Sequence, residues 1–152
     1  MVDPVHRRLT RFDPRGHLVD TVDMPEAPYR LARRADGSLY SMVLGSVDEV
    51  FVERGPDLEL RRYFGKLLAS EPAAVALDGW IATAGDRLIY APAWLDVLVL
   101  YPDPDEGEPT FVRTLEPAAP LRVITDTEGN QNVDPRSWPA HRGLSVAGEE
   151  LG

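Results

Sequence analysis

The chain contains no cysteine. That one absence excludes disulfide bridges, thiolate zinc centres and cysteine nucleophiles, but it leaves the compartment open, because secreted proteins also exist without disulfides. Cations are scarce as well. Lys and Arg number 16 against 25 Asp and Glu, for a formal net charge of −9. So acidic a surface repels phosphate backbones, so no nucleic-acid partner is expected. It gives no support to a polybasic membrane contact either. Long hydrophobic runs are missing. The longest, Val97–Tyr101 ("VLVLY"), is far too short to span a bilayer, so no membrane insertion is expected. The opening "MVDPVHRRLTRFDP" has no apolar core of the signal-peptide kind. Neither GxGxxG nor GxxxxGK[ST] occurs, which removes the common nucleotide-phosphate loops. Nothing in the sequence identifies a chemistry; what it spells is a fold.

The 152 residues are the size of one ordinary domain, and an apolar share of 43% can build a core. Fourteen prolines and twelve glycines are spread along the chain, which points to many short elements with frequent turns. The apolar periodicity is two. Leu58, Leu60 and Arg62 fall on one strand face, with Glu59, Arg61 and Tyr63 on the other; Leu121, Val123 and Thr125 alternate with Arg122, Ile124 and Asp126. Val50–Val52 and Val97–Leu100 are unbroken apolar runs, which suit strands covered on both faces. "GKLLASEPAAVAL" is the one stretch with helical character, and Pro72 interrupts it. We read it as a loop with at most one helical turn.

Turn signals separate these runs. Asp13-Pro14-Arg15-Gly16, Ala35-Asp36-Gly37-Ser38, Gly55-Pro56-Asp57, Ala84-Gly85-Asp86-Arg87 and Glu128-Gly129-Asn130 each lie between two of them. The pattern also repeats. "PYRLARRADG" from Pro28 and "PLRVITDTEG" from Pro120 share proline, arginine and glycine at matched places, and Gly37 and Gly129 lie 92 residues apart, twice 46. "GWIATAGDRLIYAP" falls between them, with Leu39 matching Leu88, 49 residues on. A period in the forties with four short strands per unit is the pattern of a propeller blade; strands every ~8–12 residues also suit a sandwich, and the matched proline, arginine and glycine favour the propeller. The expected fold is therefore all-β, a partial β-propeller of four-stranded antiparallel blades. The expected organisation is a single repeat array over 1–152: a blade piece at 8–27, blades at 28–65 and 79–117, and the start of another at 120–152.

Three stretches carry a family resemblance. "RFDPRGHLVDTV", "LARRADGSLYSM" and "GDRLIYAPAWLDVLVLYPD" resemble the outer and inner hairpins of the six-bladed, TolB-like or NHL-like β-propellers of bacteria. The likeness covers most of 8–133, and its motifs encode turns and strand faces rather than a site. It implies about half of a propeller, either a fragment of a longer protein or a chain that closes by self-association through open blade edges. Terminal blades of such an array should expose apolar faces. The family includes extracytoplasmic binding proteins, scaffold modules, and some lyases and lactonases. The resemblance therefore implies a non-enzymatic module that binds a protein or small ligand, in the periplasm or outside the cell. Its alternative is a lyase or lactone hydrolase with a metal or acid/base site near the axis. Fold alone does not choose between them.

Several residues are candidates for chemistry, each with a plainer use. Asp48 and Asp96 stand just before central apolar strands. They can be inward carboxylates that hold a metal or cationic ligand, or turn caps bonded to nearby backbone N–H groups, which is the commoner use. Asp103 and Asp105 open the acidic loop "DPDEGE". Clustered oxygens suit calcium, but the later bidentate glutamate of an EF-hand is missing, and a solvated hairpin tip explains the loop equally simply. His141, beside Trp138 and Arg142 in "SWPAHRG", can act as acid or base near neutrality, yet no partner for it is visible. The histidines, three in all, show no ligand spacing. "GLSVAG" has Ala147 where a nucleophile elbow needs its second glycine. The doublets Arg33-Arg34 and Arg61-Arg62 can read an anion or pair with carboxylates. Trp80, Trp94 and Tyr101 can line a groove or fill the space between blades. No cofactor is expected beyond the calcium that the acidic loop would suit.

Overall fold

A computed structural model describes residues 1–43, 49–65, 78–102, 109–113, 122–137, 139 and 144. Most of the apolar runs of alternating or unbroken pattern become strands, although Val50, Leu58 and Glu59 lie outside them, and Leu121 lies outside the described residues; among the described residues there is no helix. The stretch around Pro72 lies outside the described residues. The chain divides into two compact units, Met1–Leu67 and Leu68–Gly152.

The first unit holds two sheets. Strands β1 (Val2–Asp3), β2 (Arg8–Phe12) and β3 (Leu18–Asp23) form an antiparallel sheet in the order β1-β2-β3. Strands β4 (Pro28–Arg33), β5 (Leu39–Val43), β6 (Phe51–Arg54) and β7 (Leu60–Phe64) form a four-stranded antiparallel meander. Leu9, Met24 and Leu58 make the core between the two sheets, with Val2, Val22, Leu31 and Leu39 packed around them. Away from that core, Arg8 pairs with Asp23 and Thr10 stands opposite Thr21. The same sheet also exposes apolar side chains, Phe12 at 47%, Leu18 at 62% and Val19 at 58%.

The second unit also holds two sheets. Strands β8 (Gly79–Ala84), β9 (Arg87–Pro92), β10 (Val97–Tyr101) and β11 (Thr110–Arg113) form a second four-stranded meander. Strands β12 (Val123–Thr125) and β13 (Gln131–Val133) pair as a hairpin. In the meander, Leu88, Tyr90, Val99 and Tyr101 are buried.

Four connections share one geometry. In each, the N–H of the first residue donates to the C=O of the fifth: Asp13 to His17 at 2.8 Å, Arg34 to Ser38 at 2.9 Å, Gly55 to Glu59 at 3.0 Å and Asp126 to Asn130 at 3.0 Å. The N–H of the fourth residue then donates back to the C=O of the first. That fourth residue must turn left-handed, and in three cases it is a glycine: Gly16 at φ 85°, Gly37 at 90° and Gly129 at 87°. In the other it is Leu58, at φ 70°. Leu58 is therefore a turn residue and not part of a strand with Leu60 and Arg62. Its side chain is drawn into the core, 4% exposed. The other predicted turn, at Gly85-Asp86, is a two-residue hairpin between Ala84 and Arg87.

This difference in loop length corrects the repeat offset. Tyr40 and Tyr90, both fully buried, occupy the same place in their sheets. Tyr40 stands opposite Glu53 and Glu53 opposite Arg62; Tyr90 stands opposite Val99 and Val99 opposite Phe111. The inner strands therefore correspond at 50 residues rather than 49. A one-residue slip would have turned every buried side chain to the other face.

Candidate functional site

Successive residues of β6 point to opposite faces of its sheet, and both carry charge. Glu53 is 5% exposed and Arg54 is 7% exposed. A charge so buried is tolerated only when partners surround it. On one face, Arg62 donates to Glu53 Oε2 from Nε at 2.8 Å and closes a second contact from Nη2 at 2.8 Å. Arg61 Nη1 and Arg34 Nη1 approach Glu53 Oε1 at 3.5 and 3.6 Å. The two arginine doublets thus each send at least one member to a single buried carboxylate. On the other face, Arg54 donates to Glu26 Oε1 at 2.5 Å from Nη2 and to the Leu58 carbonyl at 3.0 Å from Nη1. The Tyr63 hydroxyl donates to Glu26 Oε2 at 3.4 Å. Burial, reinforced by the Glu26 charge, raises the Tyr63 pKa, so its hydroxyl stays a donor at neutral pH.

Beside the second of these networks lies an open groove of about 560 Å³. Leu9, Leu31, Leu39 and Leu58 form its floor, and Met1, Phe12 and Val19 contribute apolar surface around it. Among the described residues, the charged side chains that line it are those of Arg11 and Arg33. Arg11 is held in place by Asp20, which accepts from Nε at 2.7 Å and from Nη2, and by the Pro56 carbonyl, which accepts from Nη1 at 3.2 Å. The Arg11 hydrogen bond lowers the Asp20 pKa, so that pair stays ionised. Two arginines from different sheets therefore grip carbonyls of one turn, Arg11 at Pro56 and Arg54 at Leu58. That turn is a wall of the groove.

The sequence-predicted candidates fall elsewhere. Trp94 and Asp96 stand together on the turn between β9 and β10, both half-buried; Asp96 is engaged in the protein's own interactions. Asp48, Asp103, Asp105, Trp138, His141 and Arg142 lie outside the described residues. Among the described residues, no group of three or more His, Cys, Asp or Glu is placed to hold a metal ion. Tyr90 and Tyr101 are buried in the second meander, and burial, the largest influence on both, drives their pKa values far up. They pack as neutral phenols. The groove escaped the sequence reading. The one signal for it was Arg33, noted as a possible anion reader; Arg11 follows Leu9 at a spacing of two, the interval of a shared strand face.

No family model matches the chain, and no curated protein matches it significantly. Among solved structures it is similar to the selenomethionine-substituted virginiamycin B lyase from Staphylococcus aureus, with a TM-score of 0.54 and 13% identity. The match covers 94% of this chain and 54% of that one. The chain thus spans about half the length of the lyase that it matches. At so low an identity the likeness speaks to fold alone, and with the antiparallel sheets it makes the chain an all-β partial propeller.

Proposed function

We propose that the chain is a ligand-binding propeller module of the six-bladed, TolB-like or NHL-like kind, and that the groove of the first unit is its binding site. The observation that carries this is the groove itself. A volume of about 560 Å³ is within the range of small-molecule sites, roughly 300–1,000 Å³. Its walls combine apolar side chains with two guanidiniums, the mix that gives such sites affinity and orientation. The enzyme alternative would need acid, base or metal-binding groups brought to one point, and the described candidates, Trp94 and Asp96, stand on a single turn. The test is a titration of the 152-residue chain with a panel of small apolar and amphipathic fragments, followed by heteronuclear NMR. Binding should shift the amides of Thr10, Val19, Gly37 and Leu39 together. Shifts confined to the β9–β10 turn, or none at millimolar fragment, would remove the groove as the site.

A further inference from the structure

The charge of the groove sets the class of its ligand, an inference that rests on the binding reading above. We infer that the groove takes an amphipathic anion: a small molecule with an apolar body and a carboxylate or similar anionic head.

Three observations support this. First, the charged residues lining the groove are Arg11 and Arg33, in a chain whose formal net charge is −9. Second, Arg11 is oriented but not used up. It gives Asp20 and Pro56 its Nε hydrogen and one hydrogen from each terminal nitrogen. A guanidinium has five N–H donors, so each terminal nitrogen keeps a second one. Asp20 and Pro56 fix the plane of the fork before a ligand arrives, which lowers the ordering cost of binding. Third, the floor is hydrocarbon. Leu9, Leu31, Leu39 and Leu58 offer the body of the ligand an apolar bed, and Val19, 58% exposed, stands at the side with no charge to repel the head. A purely polar anion such as phosphate would leave that floor wet, and a neutral hydrocarbon would leave the spare N–H donors of Arg11 unused.

The test compares three probes that share one chain and differ in the head: decanoate, decanol and decyltrimethylammonium, each below its micelle concentration, titrated into the 152-residue chain. The amides of Thr10, Val19, Gly37 and Leu39 report binding. Decanoate should bind roughly tenfold tighter than decanol, the factor of one charge-assisted hydrogen bond, and the ammonium should bind weakest. Arg33→Gln should erase the preference for decanoate and leave decanol binding as it was. If that variant does not fold, Val19→Glu serves in its place: at an exposed position, it should weaken decanoate and strengthen the ammonium. Equal binding of all three probes at the groove would overturn the anion preference and leave the binding site standing. A preference for decanoate that survives both substitutions would overturn the roles given to Arg33 and the groove. Failure of every probe, with fragments still shifting the same amides, would overturn the ligand class alone.

Discussion

Leu58 is the residue whose substitution most directly tests the physical account. It combines two opposed features. Its backbone is left-handed at φ 70°, which costs an L-residue about 1–2 kcal/mol. Its side chain is buried with Leu9 and Met24; truncating a buried leucine to alanine loses about 2–5 kcal/mol. Leu58→Ala keeps the strain and loses the packing, so about 3 kcal/mol is expected. Leu58→Gly loses the same packing and relieves the strain, less about 0.5–1 kcal/mol for the freer unfolded glycine. Glycine should therefore be the more stable of the two variants, by about 0.5–1 kcal/mol. In a strand or helix interior the order is reversed by a similar amount. Gly16 provides the control. It occupies the same turn position, and a Cβ there would meet nothing within 4 Å, so Gly16→Ala should cost about 1 kcal/mol from backbone strain alone. The assay is equilibrium urea unfolding by circular dichroism, comparing midpoints at constant slope. If the alanine variant at 58 proves the more stable, the turn is not left-handed there and the shared geometry of the four connections fails.

Two further outcomes follow from the charged groups. Glu53→Gln leaves three guanidiniums facing a neutral amide and should cost about 3–5 kcal/mol in the same unfolding assay; Glu53→Val with Arg62→Phe, which copies the Val99 and Phe111 row of the second meander, should recover part of that loss. A loss below about 1 kcal/mol for Glu53→Gln would mean that the network's charge does not matter. At Asp134 the hydrogen bond from Arg136, aided by the Arg136 backbone N–H, lowers the pKa from 3.8 to about 2. A depressed carboxylate stabilises the fold above its unfolded pKa and ceases to as pH falls through the folded one, so the contribution should be complete above 3.8 and vanish near 2; the Asp134 side-chain resonance should titrate near the lower value, and a midpoint near 3.8 would refute the pairing.

What could be read from the sequence divides along a physical line. Gly16, Gly37 and Gly129 announced their turns because a left-handed residue without a Cβ is the cheap solution, and that need is local. The alternation of strands was legible for the same reason. Leu58 was misread because an apolar residue between a turn signal and a strand looks like the strand's first member. The packing of Leu9 and Met24 around it offsets the costly backbone, and that packing is not visible in the local sequence. The burial of Glu53 was equally hidden. Its partners, Arg34 and the neighbouring Arg61 and Arg62, come from two points along the chain and meet only when β7 folds back. The groove needs two sheets to face each other, so neither strand pattern contains it.

The two meanders separate what the blade requires from what one copy of it carries. Both bury a tyrosine at the same place on the second strand, Tyr40 and Tyr90. The next positions in that row differ: glutamate and arginine in one, valine and phenylalanine in the other. Since Val99 is fully buried without any charge, the architecture does not demand the ion network, and apolar residues would serve stability at least as well. A second set of charges accompanies the groove. On the other face of the same strand, Arg54 reaches the Leu58 carbonyl while Glu26 holds Arg54, and Arg11 reaches the neighbouring Pro56 carbonyl. A strained turn persists only where its surroundings over-determine it, and these hydrogen bonds do that. They hold the turn that carries Pro56 and Leu58 as a groove wall, so these polar groups set the shape of the groove more than they strengthen a sheet.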